Sequence, residues 1–172
     1  MEGVFLETKR LILRKMSMED FSILSTMLQD REVMYAWGYT FTDEQVYSWI
    51  GRMNENYERY GYAYFLAWDK QLHEVIGQIG LLPEEIEGKK YIGIGYILCK
   101  KHWGKGYATE GAGACMEYAF RVLGASIVIA DIRPENLSSR AVAERIGMKM
   151  VGKYDKIVNG REITHLIYRA TN

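Results

Sequence analysis

The chain has 172 residues, 48% of them hydrophobic, and its 22 basic residues are matched by 22 acidic ones. That length supports one sizeable core and is too short for two ordinary domains, so residues 1–172 are expected to form a single domain. The balanced charge gives no overall field towards DNA or an anionic membrane, and no apolar run has the length of a signal peptide or a membrane span, so a cytoplasmic protein is expected.

Val4 to Arg14 alternates as a strand does, Asp20 to Leu28 reads as a short helix with an acidic start, and Asp43 to Tyr60 as a longer helix. Between the two helices lie Met34, Tyr35, Trp37, Tyr39 and Phe41. At least half of these are expected in the core, with Tyr35 and Trp37 as candidates to line a groove for an acceptor. Tyr62 to Trp68, Val75 to Leu82 and Tyr91 to Cys99 are rich in β-branched and aromatic residues and read as three strands. Asp69-Lys70 and a charged turn from Glu84 to Lys90 separate them, spacings that imply antiparallel pairing.

A helix from about Tyr107 to Leu123 follows, with Ala108, Ala112, Cys115, Ala119, Phe120 and Leu123 on its apolar stripe. Ser126 to Ile132 is then a strand reached by a helical crossover, which favours parallel pairing with the strand ending at Cys99. Asn136 to Ile146 is a helix stopped by Gly147, and Met148 to Tyr154 with Glu162 to Arg169 form a hairpin around Asn159-Gly160. The sum is an α/β chain: a mixed, mostly antiparallel sheet with one parallel pair, flanked by about four helices. Cys99 and Cys115 read as free buried thiols, and His73, His102 and His165 match no metal-ligand spacing, so no metal is assigned.

The segment between the third of these strands and the next helix carries the chemistry. Gly104 and Gly106 let the loop adopt left-handed conformations and lie close to a ligand, while the helix beginning at Tyr107 aims its unpaired N–H groups into it. Lys100, Lys101 and Lys105 crowd the same stretch with no carboxylate among them, which suits a pyrophosphate. No Gly-x-x-x-x-Gly-Lys-Ser/Thr run is present, and Thr109 stands where a dinucleotide fingerprint has its third glycine. A plain glycine turn is the competing reading.

Trp103-Gly104-Lys105-Gly106-Tyr107-Ala108 resembles the acyl-CoA motif Gln/Arg-x-x-Gly-x-Gly/Ala of the GNAT superfamily of N-acetyltransferases, with Trp103 in the first place. Thr8 to Arg14 resembles the opening strand of the RimJ/RimL-type branch, which acetylates ribosomal-protein N-termini. Asn136-Leu137-Ser138-Ser139 and Glu144 to Met148 resemble that branch's Asn-x-x-Ser helix and its Lys-x-Gly-Phe end.

The resemblance implies a GNAT fold whose parallel pair splays to admit the pantetheine of acetyl-CoA. It implies contacts to acetyl-CoA from Ile97, Leu98 and Cys99, from Trp103 to Ala108, and from Asn136. Gly93 and Gly95 would leave one face of their strand nearly bare for a ligand, unless they mark a bulge or a close packing contact. The family often carries a catalytic glutamate where this chain has Gly93, and a tyrosine acid where it has Ala143, so both roles are displaced. Ser139 matches the branch's usual replacement for the tyrosine, as a hydrogen-bond donor to the departing thiolate, with Asn136 orienting the pantetheine or a water. Helix capping alone would also account for the pair. Glu110 is the nearest acidic candidate by sequence, although an acid in a first helical turn also answers the helix dipole.

The implied activity is acetyl transfer from acetyl-CoA to a primary amine. With no base in the usual place, a peptide or protein α-amine near ~8 is favoured over a lysine near ~10.4. Polyamine, amino-acid and antibiotic acceptors, a non-catalytic acyl-CoA-binding module and a pure interaction protein are the alternatives. The partner is the acceptor, and the state a monomer or homodimer.

Overall fold

The computed structural model describes residues 1–172. In chain order the elements are β1 (Val4–Glu7), β2 (Leu11–Arg14), α1 (Phe21–Leu28), α2 (Asp43–Tyr60), β3 (Tyr64–Asp69), β4 (Glu74–Ile86), β5 (Lys89–Leu98), α3 (Tyr107–Arg121), β6 (Ile127–Ile132), α4 (Leu137–Arg145), β7 (Lys149–Val158) and β8 (Arg161–Thr171). They build one eight-stranded sheet in the order β1-β2-β3-β4-β5-β6-β8-β7. Every neighbouring pair is antiparallel except β5 and β6.

Successive strand residues face opposite sides of the sheet, and β4 shows which helix covers each. Ile79 packs under α3, where Gly111 permits close approach: an added Cβ would lie 2.5 Å from Ile79 Cδ1. Its neighbour Gln78 faces the other way and accepts a 2.9 Å bond from the indole N–H of Trp49 on α2. α2 is bounded by a capping box between Thr42 and Gln45 and by Gly61 in the left-handed region at φ 80°.

The parallel pairing is short. Only Ile92 with Val128 and Gly93 with Ile129 are in register. Beyond them β5 continues along β4 to Leu98, while β6 continues along β8 to Ile132, so a wedge opens at the carboxyl ends of the pair. α3 follows β5 and α4 follows β6, which brings both helix N-termini to the mouth of that wedge. On its far side the hairpin of β7 and β8 outruns the sheet: β8 pairs with β6 only from Leu166 onward, and Arg161 to His165 pair with β7 alone.

Three sequence expectations need correction. Val4 to Arg14 is two strands, because the Thr8 N–H donates to the Leu11 carbonyl (2.9 Å) and the Glu110 carboxylate accepts from the Thr8 hydroxyl (2.6 Å) and the Arg10 N–H (2.7 Å), reversing the chain. The charged stretch from Glu84 to Lys90 is mostly strand. Its turn is Glu87-Gly88 alone, at φ 50° and 77°, the positive pair a two-residue hairpin loop requires. Third, the face at Gly93 and Gly95 is not bare. A Cβ at Gly95 would lie 2.1 Å from the Tyr64 hydroxyl, and one at Gly93 would lie 2.5 Å from Glu84 Cγ.

Candidate functional site

The wedge holds two connected cavities. The first, about 690 Å³, runs from the end of β5 across the glycine turn to α4. Gly104 and Gly106 sit at φ 72° and 78°, and α3 begins with Gly106 and no side-chain cap. By contrast Thr42 caps α2 and Asn136 caps α4. The first amides of α3 are therefore left for something from outside the chain.

The turn is held from behind. Arg10 donates from Nη1 to the Lys105 carbonyl (2.9 Å) and from Nε to Glu110 (2.5 Å), and its guanidinium lies 4.4 Å from the centre of the Tyr107 ring. Both Glu110 oxygens are engaged. Although burial opposes ionisation, the bonds from Thr8 and Arg10 hold this carboxyl below the usual range. That geometry gives Glu110 a structural task and leaves it poorly placed to accept a substrate proton.

Of the residues expected to contact acetyl-CoA, Ile97, Leu98, Trp103, Gly104, Gly106, Tyr107, Ala108 and Asn136 line this cavity. Cys99 and Lys105 do not. Cys99 is buried, with its N–H bonded to the Ile76 carbonyl (3.0 Å), and the Lys105 side chain is exposed. The Trp103 indole N–H donates to the Leu98 carbonyl (3.0 Å), tying turn to strand.

At the other lip, Asn136 Oδ1 accepts from the Ser139 N–H (3.2 Å), the Ser138 hydroxyl (3.1 Å) and the Tyr35 hydroxyl (3.0 Å). The Ser139 carbonyl accepts from the Tyr96 hydroxyl (2.7 Å), whose burial pushes its pKa well above the ordinary tyrosine value. The Ser139 backbone is thus held at both ends, while its hydroxyl makes no bond within the chain. Tyr35 stands on this cavity, whereas Trp37 lines both.

The second cavity, about 460 Å³, adjoins the first across Ala36, Trp37, Tyr96, Asn136 and Ser139. Its wall carries Glu84, Asp131, Lys156, His165, Arg52 and Arg133, and the far side is the outlying tip of the β7–β8 hairpin. Lys156 Nζ lies 2.8 Å from Asp131 and 3.9 Å from Glu84, and the Tyr154 hydroxyl donates to Asp131 (2.8 Å). These bonds keep Asp131 ionised despite burial, whereas burial and the Asp131 charge push the Glu84 carboxyl up, to about 7. No cluster of three or more His, Cys, Asp or Glu side chains is placed to hold a metal.

A model of the acetyltransferase (GNAT) domain matches residues 10–149. The chain belongs to the GNAT acetyltransferases. It is 36% identical over 155 residues to the Bacillus subtilis protein YkkB, covering 88% of this chain and 90% of that one. It is 32% identical over 181 residues to the FsC-acetyl coenzyme A-N(2)-transacetylase of Aspergillus fumigatus, covering 96% and 75%. Among solved structures, the acetyltransferase from Agrobacterium tumefaciens superposes with a TM-score of 0.82 at 27% identity, covering 97% of this chain and 94% of that one. In this GNAT chain the glycine turn, Asn136 and Ser139 line one cavity. Tyr96 and Glu84 carried no motif, and their places on these cavities emerge only when strands and helix are assembled.

Proposed function

We propose that this GNAT acetyltransferase uses acetyl-CoA to acetylate the α-amine of a peptide or protein. The observation that carries the reading is the junction of two cavities at Ser139 and Tyr96, one built around uncapped main-chain amides and the other walled by side chains of both charges. In this reading the pyrophosphate lies on the N–H groups of Gly104 to Ala108. The pantetheine follows Ile97 and Leu98, along the edge of β5 that β6 has left. The amine enters from the second cavity. Its nitrogen attacks the thioester carbonyl, the C–S bond breaks, and the Ser139 hydroxyl donates a hydrogen bond to the departing sulfur. The name of the Aspergillus relative specifies acetyl coenzyme A and a nitrogen acceptor, which supports both donor and bond type.

The choice of α-amine rests on charge. Arg52, Arg133 and Lys156 outnumber Glu84 and Asp131 in the acceptor cavity, so a polyamine would find no surplus of negative charge. Release of free thiol from acetyl-CoA is measured with a peptide bearing a free α-amine, with its N-blocked lysine-containing counterpart, with spermidine and with amino acids. Fastest turnover of the free α-amine peptide is expected. Faster acetylation of the blocked peptide overturns the α-amine choice, turnover of spermidine or amino acids alone moves the enzyme to small molecules, and no turnover of any amine leaves an acyl-CoA-binding module.

A further inference from the structure

The family's glutamate position on β5 is Gly93, yet the space beside Gly93 is filled by a carboxylate side chain from the neighbouring strand. A Cβ built on Gly93 would fall 2.5 Å from Glu84 Cγ, closer than any real side chain could tolerate. The glycine and the glutamate therefore form a complementary pair: one strand gives up a side chain, and the next fills the opening. Glu84 belongs to the wall of the acceptor cavity with only 19% of its side chain exposed. Gly93, whose missing side chain it replaces, is the last in-register rung of the parallel pair, where the wedge begins to open.

We propose that Glu84 is the catalytic base of this enzyme, supplied from β4 across Gly93, and that it takes the proton from the acceptor ammonium directly or through one water. The Glu84 carboxylate accepts one proton from R–NH3+, leaving R–NH2, whose lone pair forms the new C–N bond. As the tetrahedral adduct collapses, the C–S bond breaks and the second ammonium proton passes to the thiolate, giving the amide and the free thiol. Glu84 then returns its proton to solvent.

The surroundings fit a group that must exchange protons near neutrality. Asp131 on β6 faces Glu84 with a like charge, opposed by Lys156 on β7 at 3.9 Å. Tyr154 on β7 is occupied in bonding Asp131. Tyr64 on β3 presents its hydroxyl to Gly95, and Tyr91 on β5 lies opposite Glu84 in register. His165 on β8, Arg52 on α2, Tyr96 on β5, Tyr39 and Arg133 complete the charged and titratable wall. Lys156 bonds Asp131 at 2.8 Å and leaves Glu84 the weaker-paired carboxylate of the two, the one free to turn to a substrate cation.

The inference rests on the N-acetyltransferase reading, and its test separates the two. With the amine that wild type acetylates fastest, kcat/KM is followed from pH 5 to 9 for wild type, for Glu84→Gln, and for Glu84→Ala with and without Gly93→Glu. With alanine at 84 the clash is removed, since the other atoms near a Cβ at 93 lie at 3.5 Å, and Gly93 does not use the left-handed region. Wild type is expected to lose rate as pH falls through about 7, where Glu84 takes up a proton. Glu84→Gln is expected to be slower by about 10²-fold or more at pH 7, to lose that acidic limb, and to bind acetyl-CoA as wild type does. Moving the carboxylate to residue 93 is expected to recover part of the loss, which a purely structural role for Glu84 would not permit. Wild-type rate and pH profile in Glu84→Gln overturn this inference alone. An unchanged profile with a double variant no faster than Glu84→Ala reduces Glu84 to a structural part. A wild type that acetylates no amine overturns the reading and this inference with it.

Discussion

Replacing Gly106 by valine tests whether the uncapped start of α3 is the anion site. Gly106 sits at φ 78°, and a side chain in that region costs roughly 1–2 kcal/mol. An added Cβ meets only Arg10 Nη2, at 3.5 Å, so the strain is in the backbone and not in a clash. Against a stability of about 5–15 kcal/mol the chain remains folded, and melting falls by roughly 2–8 °C at about 2–4 °C per kcal/mol. The ligand suffers more, because a branched side chain stands where phosphate oxygens would approach the amides of Tyr107 and Ala108. Hydrogen bonds to charged groups are worth about 1.5–3 kcal/mol each, so losing two weakens acetyl-CoA binding by about 10²-fold to 10⁴-fold. Titration calorimetry reads the affinity and a thermal melt reads the fold. Gly106→Ala carries the backbone strain without the branched bulk and is expected to fall between wild type and valine. A cooperatively folded valine variant with unchanged affinity would refute the assignment of the anion to these amides.

Ser139→Ala removes one hydrogen bond to a developing negative charge, so kcat is expected to fall about 10²-fold to 10³-fold while the affinity for acetyl-CoA holds, as read by single-turnover kinetics and calorimetry. Glu110→Gln tests the clamp behind the turn: the carboxyl is depressed in the folded state, so its contribution is complete above the unfolded value of about 4.3 and is lost as pH falls through the folded one. The gap in melting temperature between wild type and Glu110→Gln should be widest at pH 7 and close as the pH drops below about 4. Equal gaps at both ends would show that hydrogen-bond geometry, not ionisation, holds the clamp.

What could be read in the sequence was what neighbours along the chain decide. The order strand, glycine turn, helix depends on residues within a few positions of Gly104 and Gly106, and the crossover to β6 follows from one helix standing between two strands. Asn136 and Ser139 declare themselves as a cap, and the cap also frames the cavity. Contacts between distant segments were not legible. Glu7 to Arg10 is a polar run between two apolar ones, a break in the pattern that does not say how the chain turns, and what holds the turn is a carboxylate 102 positions along the chain from Thr8. Gly93 looked like an empty position because its occupant belongs to another strand, placed there by the register that sets Leu82 opposite Gly93 and Glu84 opposite Tyr91. Tyr96 gave no sign of its bond to the Ser139 carbonyl, since the strand pattern accounts for a tyrosine there without it.

The β7–β8 tip gives the acceptor cavity a wall that the rest of the molecule does not need. Lys156, Ile157, Val158, Asn159, Ile163 and His165 all line the cavity, yet Arg161 to His165 pair with β7 alone, and the reversal at Asn159-Gly160 hangs clear of β6. Lys156 apart, which is bonded to Asp131 on β6, lengthening, shortening or recolouring that tip leaves the donor cleft, the helices and the central strands intact. Such an arrangement lets a lineage change what it acetylates by editing one appendage while the inherited machinery stays in place, so divergence among relatives should concentrate there and spare the wedge.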